Sequence, residues 1–127
     1  MADFTAAARN VWLDDFTSTT KYLALFDGDP QGAGTELSGG GYLRVAIAAA
    51  DWAAAGSGTL ANTAAKSFPQ ATADWNSGVD IPYWAICTSS TLAASDVEAS
   101  DVPTTPKPVT SGDTASFAIG AIVLTIS

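Results

Sequence analysis

Apolar residues fall at Phe4, Ala8, Val11, Trp12 and Phe16. Those spacings, i, i+4, i+7, i+8 and i+12, put them on one stripe of a helix, and they predict a helix over about residues 4–16. Asp3 or Thr5 is placed to cap its start. Thr17-Ser18-Thr19-Thr20 ends it, because short hydroxyl side chains compete for backbone hydrogen bonds. The stripe carries a tryptophan and two phenylalanines, so it must pack on something: the domain's own sheet or a neighbouring subunit. Phe4, Val11, Trp12 and Phe16 are therefore the candidate subunit-interface residues.

After Thr20 the period changes to two. In Lys21–Asp27, Tyr22, Ala24 and Phe26 alternate with Leu23 and Leu25. Both sets are apolar, so this strand is expected to be covered on both faces. Asp27-Gly28-Asp29-Pro30 stops it, since neither glycine nor proline continues a ladder well. Gly39-Gly40-Gly41 restarts the chain into a strand over Tyr42–Ile47, with Leu43, Val45 and Ile47 facing one way and Tyr42, Arg44 and Ala46 the other. Ala48–Ala55 reads as the extended end of that strand, and Gly56-Ser57-Gly58 turns the chain. Asn62–Phe68 reads as a strand stopped by Pro69. Ala71–Trp75 leads into a loop at Asn76-Ser77-Gly78. Ile81–Thr88 is the most apolar strand, with Tyr83, Ala85 and Cys87 opposite Trp84 and Ile86. Ala93–Pro108 reads as irregular, and Pro103, Pro106 and Pro108 restrict it to a sheet edge or a loop. Thr114–Ala118 and Ile122–Ile126 are the last strands, broken by Gly120. Short strands between Gly/Pro turns predict a mainly β fold: a single antiparallel β-sandwich, jelly-roll-like, with one short N-terminal helix. At 127 residues the expectation is one domain over 1–127.

Charge removes several functions. Thirteen acidic residues face five basic ones, for a net charge of −8. No cationic footprint exists to neutralise phosphates or an anionic membrane surface, so neither nucleic acid nor membrane is an expected partner. Cys87 is the only cysteine and lies in an apolar run, so it reads as a small buried core residue and no intrachain disulfide exists. The N-terminus has no basic segment followed by an apolar run, and the chain is expected to be made in a cytoplasm.

The candidate chemistry is thin. Asp27 and Asp29 are spaced to share a hard cation, but the longer acidic loop of a calcium site is missing, and Asp capping a turn is commoner. Gly56-Ser57-Gly58 lacks the histidine a nucleophile elbow needs. Gly39-Gly40-Gly41 leads into a strand, whereas a phosphate cradle leads into a helix. Asp14, Asp15, Asp96, Glu98 and Asp101 offer carboxylates for glycoside chemistry only if two face one another across a cleft. Trp12, Trp52, Trp75 and Trp84 would form a sugar-stacking platform only if exposed together. No catalytic residue, cofactor or metal ligand is expected, and the chain does not read as an enzyme.

The ordered motifs carry more. YLALFDGDPQGAGTELSGGGYLR runs from Tyr22 to Arg44. Asn62–Pro69 and Ala71–Trp75 follow, then Tyr83–Thr88, then PKPVTSGDTASFAIGAIVLTIS from Pro106 to Ser127. In this order they resemble a family of small tailed-bacteriophage virion structural proteins, tail-fibre-like or capsid decoration-like, with motifs of the form YVALFTADP…SGGGYAR and SGDT-SF--G. Two stretches depart from the pattern: a longer Asn76–Pro82 link, and an acidic, proline-rich segment after Thr88. The resemblance implies a structural protein of the virion, made in the host cytoplasm. Small size and the lack of a coiled-coil or fibrous repeat favour a capsid decoration (cement) protein on the outer shell. The alternative is a tail or head fibre component that contributes to receptor or glycan attachment. Expected partners are the major capsid protein and copies of the chain itself, as a homo-oligomer and most simply a trimer.

Overall fold

The computed structural model describes residues 3–126. Helix α1 spans Ala6–Phe16, and eight strands follow it: β1 Lys21–Phe26, β2 Val45–Ile47, β3 Thr59–Ala61, β4 Lys66–Ser67, β5 Tyr83–Cys87, β6 Val97–Asp101, β7 Ser116–Phe117 and β8 Val123–Thr125. Every pairing between them is antiparallel. The strands form one four-stranded sheet in the order β2-β1-β5-β6 and two ribbons, β3-β8 and β4-β7. The chain is thus a mainly β antiparallel sandwich with a short N-terminal helix.

The centre of the sheet belongs to the two segments that are apolar on both faces. Tyr22–Phe26 of β1 pairs with Tyr83–Cys87 of β5, Tyr22 opposite Cys87 and Phe26 opposite Tyr83. One face sends Leu23, Leu25, Trp84 and Ile86 into the main core, where they meet Leu60, Phe68, Trp75, Ile122 and Leu124 from the ribbons and the segments beside them. The other face holds Ala24, Phe26, Ala85 and Cys87, a second cluster flanked by Tyr83 and Val97. Cys87 is fully buried. Burial pushes its thiol pKa up to about 12.

Asn62 joins the two ends of the ribbon layer. Its amide donates to the carbonyls of Ala64 at 2.8 Å and Ala118 at 3.0 Å. Its side-chain oxygen accepts from Ile122 N at 2.9 Å. A buried amide satisfied on both sides is a costly group to lose, because its partners are left unpaired away from water.

Several boundaries differ from the pattern. Phe4 lies before the helix, and Thr5 is the cap, accepting from Ala8 N at 3.1 Å. The expected strand over Tyr42–Ile47 shrinks to β2, and its faces do not follow the alternation. Tyr42 and Arg44 are buried and Leu43 is exposed, because the polar ends of Tyr42 and Arg44 find buried partners. Ala48–Ala55 is not an extended strand end: Ala49–Asp51 forms a 3-10 turn, with Asp51 accepting from Ala48 N at 2.9 Å and pairing with Lys66. The expected strand over Asn62–Phe68 shortens to β4, preceded by β3 on the other side of Asn62. Ala93–Pro108 is not irregular throughout. It contains β6, the edge of the large sheet, and the prolines lie beyond the end of that strand.

Candidate functional site

The densest polar constellation lies where SGGGYLR enters β2. The Arg44 guanidinium has no exposed side-chain surface. It meets Glu36 in a two-pronged pair, Nε to Oε2 at 2.9 Å and Nη2 to Oε1 at 2.8 Å. Its Nη1 reaches Asp96 at 3.0 and 3.1 Å and the Ser89 carbonyl at 2.9 Å. The Tyr42 hydroxyl donates to Glu36 Oε2 at 2.7 Å and accepts from Leu25 N at 2.9 Å. Ala93 N donates to Glu36 Oε1 at 2.7 Å. Asp96 also takes Ser89 N and Oγ, at 2.9 and 2.8 Å.

Burial alone would raise the Glu36 pKa. The hydrogen bonds from Arg44, Tyr42 and Ala93 outweigh it and hold the carboxyl below its ordinary value. Burial likewise opposes ionisation of Asp96, but Ser89 and Arg44 hold its pKa down. The Tyr42 hydroxyl is pushed far up, by burial first and then by the neighbouring Glu36 carboxylate. Nothing in this cluster is free to exchange protons with a substrate. It is a clamp that fixes the loop before β2 and the loop between β5 and β6 to β1.

The glycines serve the same region. Gly40 has φ of +58°, and a Cβ there would sit 2.9 Å from Trp75 Cδ1. Its carbonyl accepts from Trp75 Nε1 at 2.8 Å. Gly40 thus lets the backbone run against the indole of Trp75.

The other predicted groups separate. Asp27 accepts from Thr35 N at 2.7 Å and Asp29 from Gln31 N at 2.9 Å, so both cap their own loop. Among the described residues no three His, Cys, Asp or Glu side chains gather as a metal set. Asp14 takes Ala55 N at 2.9 Å. Asp96 faces Arg44, Glu98 pairs with Lys21 at 2.8 Å, and Asp101 accepts from Val102 N at 2.7 Å. Trp52, Trp75 and Trp84 are core residues, and only Trp12, 45% exposed, reaches the surface.

Helix α1 turns Leu13 inward, with Phe16 half-buried beside it. Lys21 Nζ lies 4.2 Å above the Phe16 ring. Phe4 and Val11 remain exposed, at 54% and 64%. The Phe4 ring meets Trp12 edge-on, with centroids 4.5 Å apart. The predicted stripe therefore divides: Phe4, Val11 and Trp12 face outward and Phe16 packs on the core.

Beside Trp12 opens a cleft of about 540 Å³, walled by Trp12 and Phe16 from α1, Glu98 and Asp101 from β6, Val123 from β8 and Ile126 just after it. Sequence reasoning missed this cleft and the Arg44 clamp. A signal for the clamp existed, because Arg44 stands in an apolar alternation eight residues after Glu36. The cleft joins segments that no local pattern connects. A second cavity of similar size lies between the proline-rich segment at 103–109 and residues 113–118. No helix among the described residues is long and apolar enough to cross a membrane.

No curated protein and no solved structure matches the chain. The family model of the podophage GP4 fiber I protein gp80 matches residues 6–125, which takes in the glycine-rich loop, the Arg44 clamp and all eight strands. The chain belongs to the podophage GP4 fiber I protein gp80 family, a family of phage virion structural proteins.

Proposed function

We propose that this chain is a fibre component of the phage virion, a structural protein rather than an enzyme. The observation that carries the reading is the fibre-family match over residues 6–125. The site chemistry agrees with it. The buried Arg44–Glu36–Asp96 cluster is engaged in holding loops, and the surface exposes the aromatic and aliphatic side chains of Phe4, Val11 and Trp12. Val11 and Trp12 on the outer side of α1, with Phe4 just before it, are the contact by which the chain meets its neighbours in the particle, including copies of itself. An exposed tryptophan met edge-on by a phenylalanine is the kind of anchor that concentrates binding energy in an interface.

Capsid decoration is the second reading. It is favoured by the single helix of 11 residues, the absence of a coiled coil among the described residues, and a net charge of −8 that keeps particles apart. The partner would then be the major capsid protein. Quantitative mass spectrometry of purified particles, with immunogold labelling, separates the two. The expected result is a handful to a few dozen copies, with label at a fibre. A ratio to the major capsid protein near one, or a simple lattice fraction of it, overturns the fibre reading in favour of the shell.

A further inference from the structure

The cleft beside Trp12 has an unusual pair of walls. β6 is the last strand of its sheet and pairs only with β5. β8 pairs only with β3. Among the described residues no backbone hydrogen bond joins β6 to β8 or closes the outer edge of either strand. Two unsatisfied strand edges thus line one groove, with the rings of Trp12 and Phe16 at its mouth. Such edges are templates for an added strand.

Charge selects the occupant. Glu98 and Asp101 stand exposed on β6. Glu98 gives one oxygen to Lys21 and Asp101 gives one to Val102 N. A second copy laid on this edge would bring its own acids. It would have few cations to answer them, because Lys21, Arg44 and Lys66 are held in ion pairs, which leaves Arg9 and Lys107. A basic strand meets no such obstacle.

We propose that the cleft between β6 and β8 receives an extended segment of a different virion polypeptide, with alternating basic and apolar residues, which adds as a strand to the open edge of β6. The proposal rests on the virion reading for the source of the segment. Its test uses the isolated chain, so particle localisation and cleft binding succeed or fail separately. The probe is acetyl-Lys-Val-Lys-Val-Lys-amide, followed by amide chemical shifts and hydrogen exchange. The expected result is saturable shifts and slowed exchange over Val97–Asp101 and Val123–Thr125. The E98Q/D101N variant, and D101N alone where the pair loses structure, should bind more weakly. The double variant should lose roughly two- to thirty-fold at low salt, the weight of two exposed ion pairs. A peptide N-methylated on its backbone should not bind. No response at β6 with millimolar peptide overturns the proposal. So does equal binding of the acidic analogue acetyl-Glu-Val-Glu-Val-Glu-amide, or of the N-methylated peptide. β6 protection that rises with protein concentration alone makes a second copy the occupant, and also overturns it.

Discussion

Replacing Arg44 by methionine removes a guanidinium with no exposed side-chain surface and leaves Glu36, 2% exposed, without its cation. Tyr42 and Ala93 still donate to the carboxylate, but the two Arg44 bonds at 2.8 and 2.9 Å disappear. Breaking one partner of a buried pair costs about 3–5 kcal/mol, because an uncompensated charge stays inside. A domain has a total stability of only about 5–15 kcal/mol. With a urea m-value of about 1–3 kcal/mol/M, R44M should lower the unfolding midpoint by more than 1 M. Buried Trp75 and Trp84 supply the fluorescence signal. The double variant R44M/E36M should recover much of the loss, since apolar replacements of a buried pair are often neutral.

The pH dependence checks the sign. In the native chain the Glu36 pKa is below its ordinary 4.5. Its contribution is therefore present above that value and lost as pH falls through the folded pKa. Without Arg44, burial dominates and the Glu36 pKa should rise above 4.5, so the R44M penalty should shrink as pH falls. A loss under about 1 kcal/mol at neutral pH, or a penalty that grows in acid, would refute the clamp as a structural keystone.

Gly40→Ala places a methyl 2.9 Å from Trp75 at a φ of +58° and should cost about 1–3 kcal/mol in urea unfolding, with altered Trp75 emission. Trp12→Ala should change stability by less than about 1 kcal/mol, because the ring is nearly half exposed and is not among the core residues; its effect should appear as lost incorporation into particles, counted by mass spectrometry. Cys87 should be inert to a thiol reagent at pH 8 in the native chain and react only in denaturant, since the side chain is fully buried and its pKa is pushed up to about 12. Asn62→Ala strands Ile122 N and the Ala64 and Ala118 carbonyls, and a loss of about 2–3 kcal/mol is expected in the same unfolding assay.

The sheet was legible where the chain is apolar at every position. Leu23–Phe26 and Trp84–Cys87 can only be buried on both faces, and they became the paired centre. Helix α1 was legible as an element but not in its orientation. The stripe through Phe4, Val11 and Trp12 weighs large side chains, yet Leu13 is the residue that meets the core. β6 was hidden because Val97–Asp101 carries two acids and a serine; an edge strand needs only one buried side and one pairing partner. The Arg44 clamp was hidden because Asp96 is 52 residues away and nothing local marks it as a partner. Asp29 was legible as a turn cap, since a short carboxylate two residues before a free N–H closes on it, whereas the Asp27 bond to Thr35 N spans eight residues.

Asn62 and β8 carry a consequence for the order in which the molecule is made. β8 pairs with β3 across about 60 residues, Thr59 opposite Thr125, and Asn62 waits for Ile122 at a similar separation. During synthesis β3 therefore leaves the ribosome long before its partner exists. Contacts this distant close slowly, because loop entropy is lost before they form. A nascent chain cut before Ile122 would carry Asn62 without its Ile122 partner and Leu60 without its cover. Completion of β8 would then close the β3 ladder and cover Leu60.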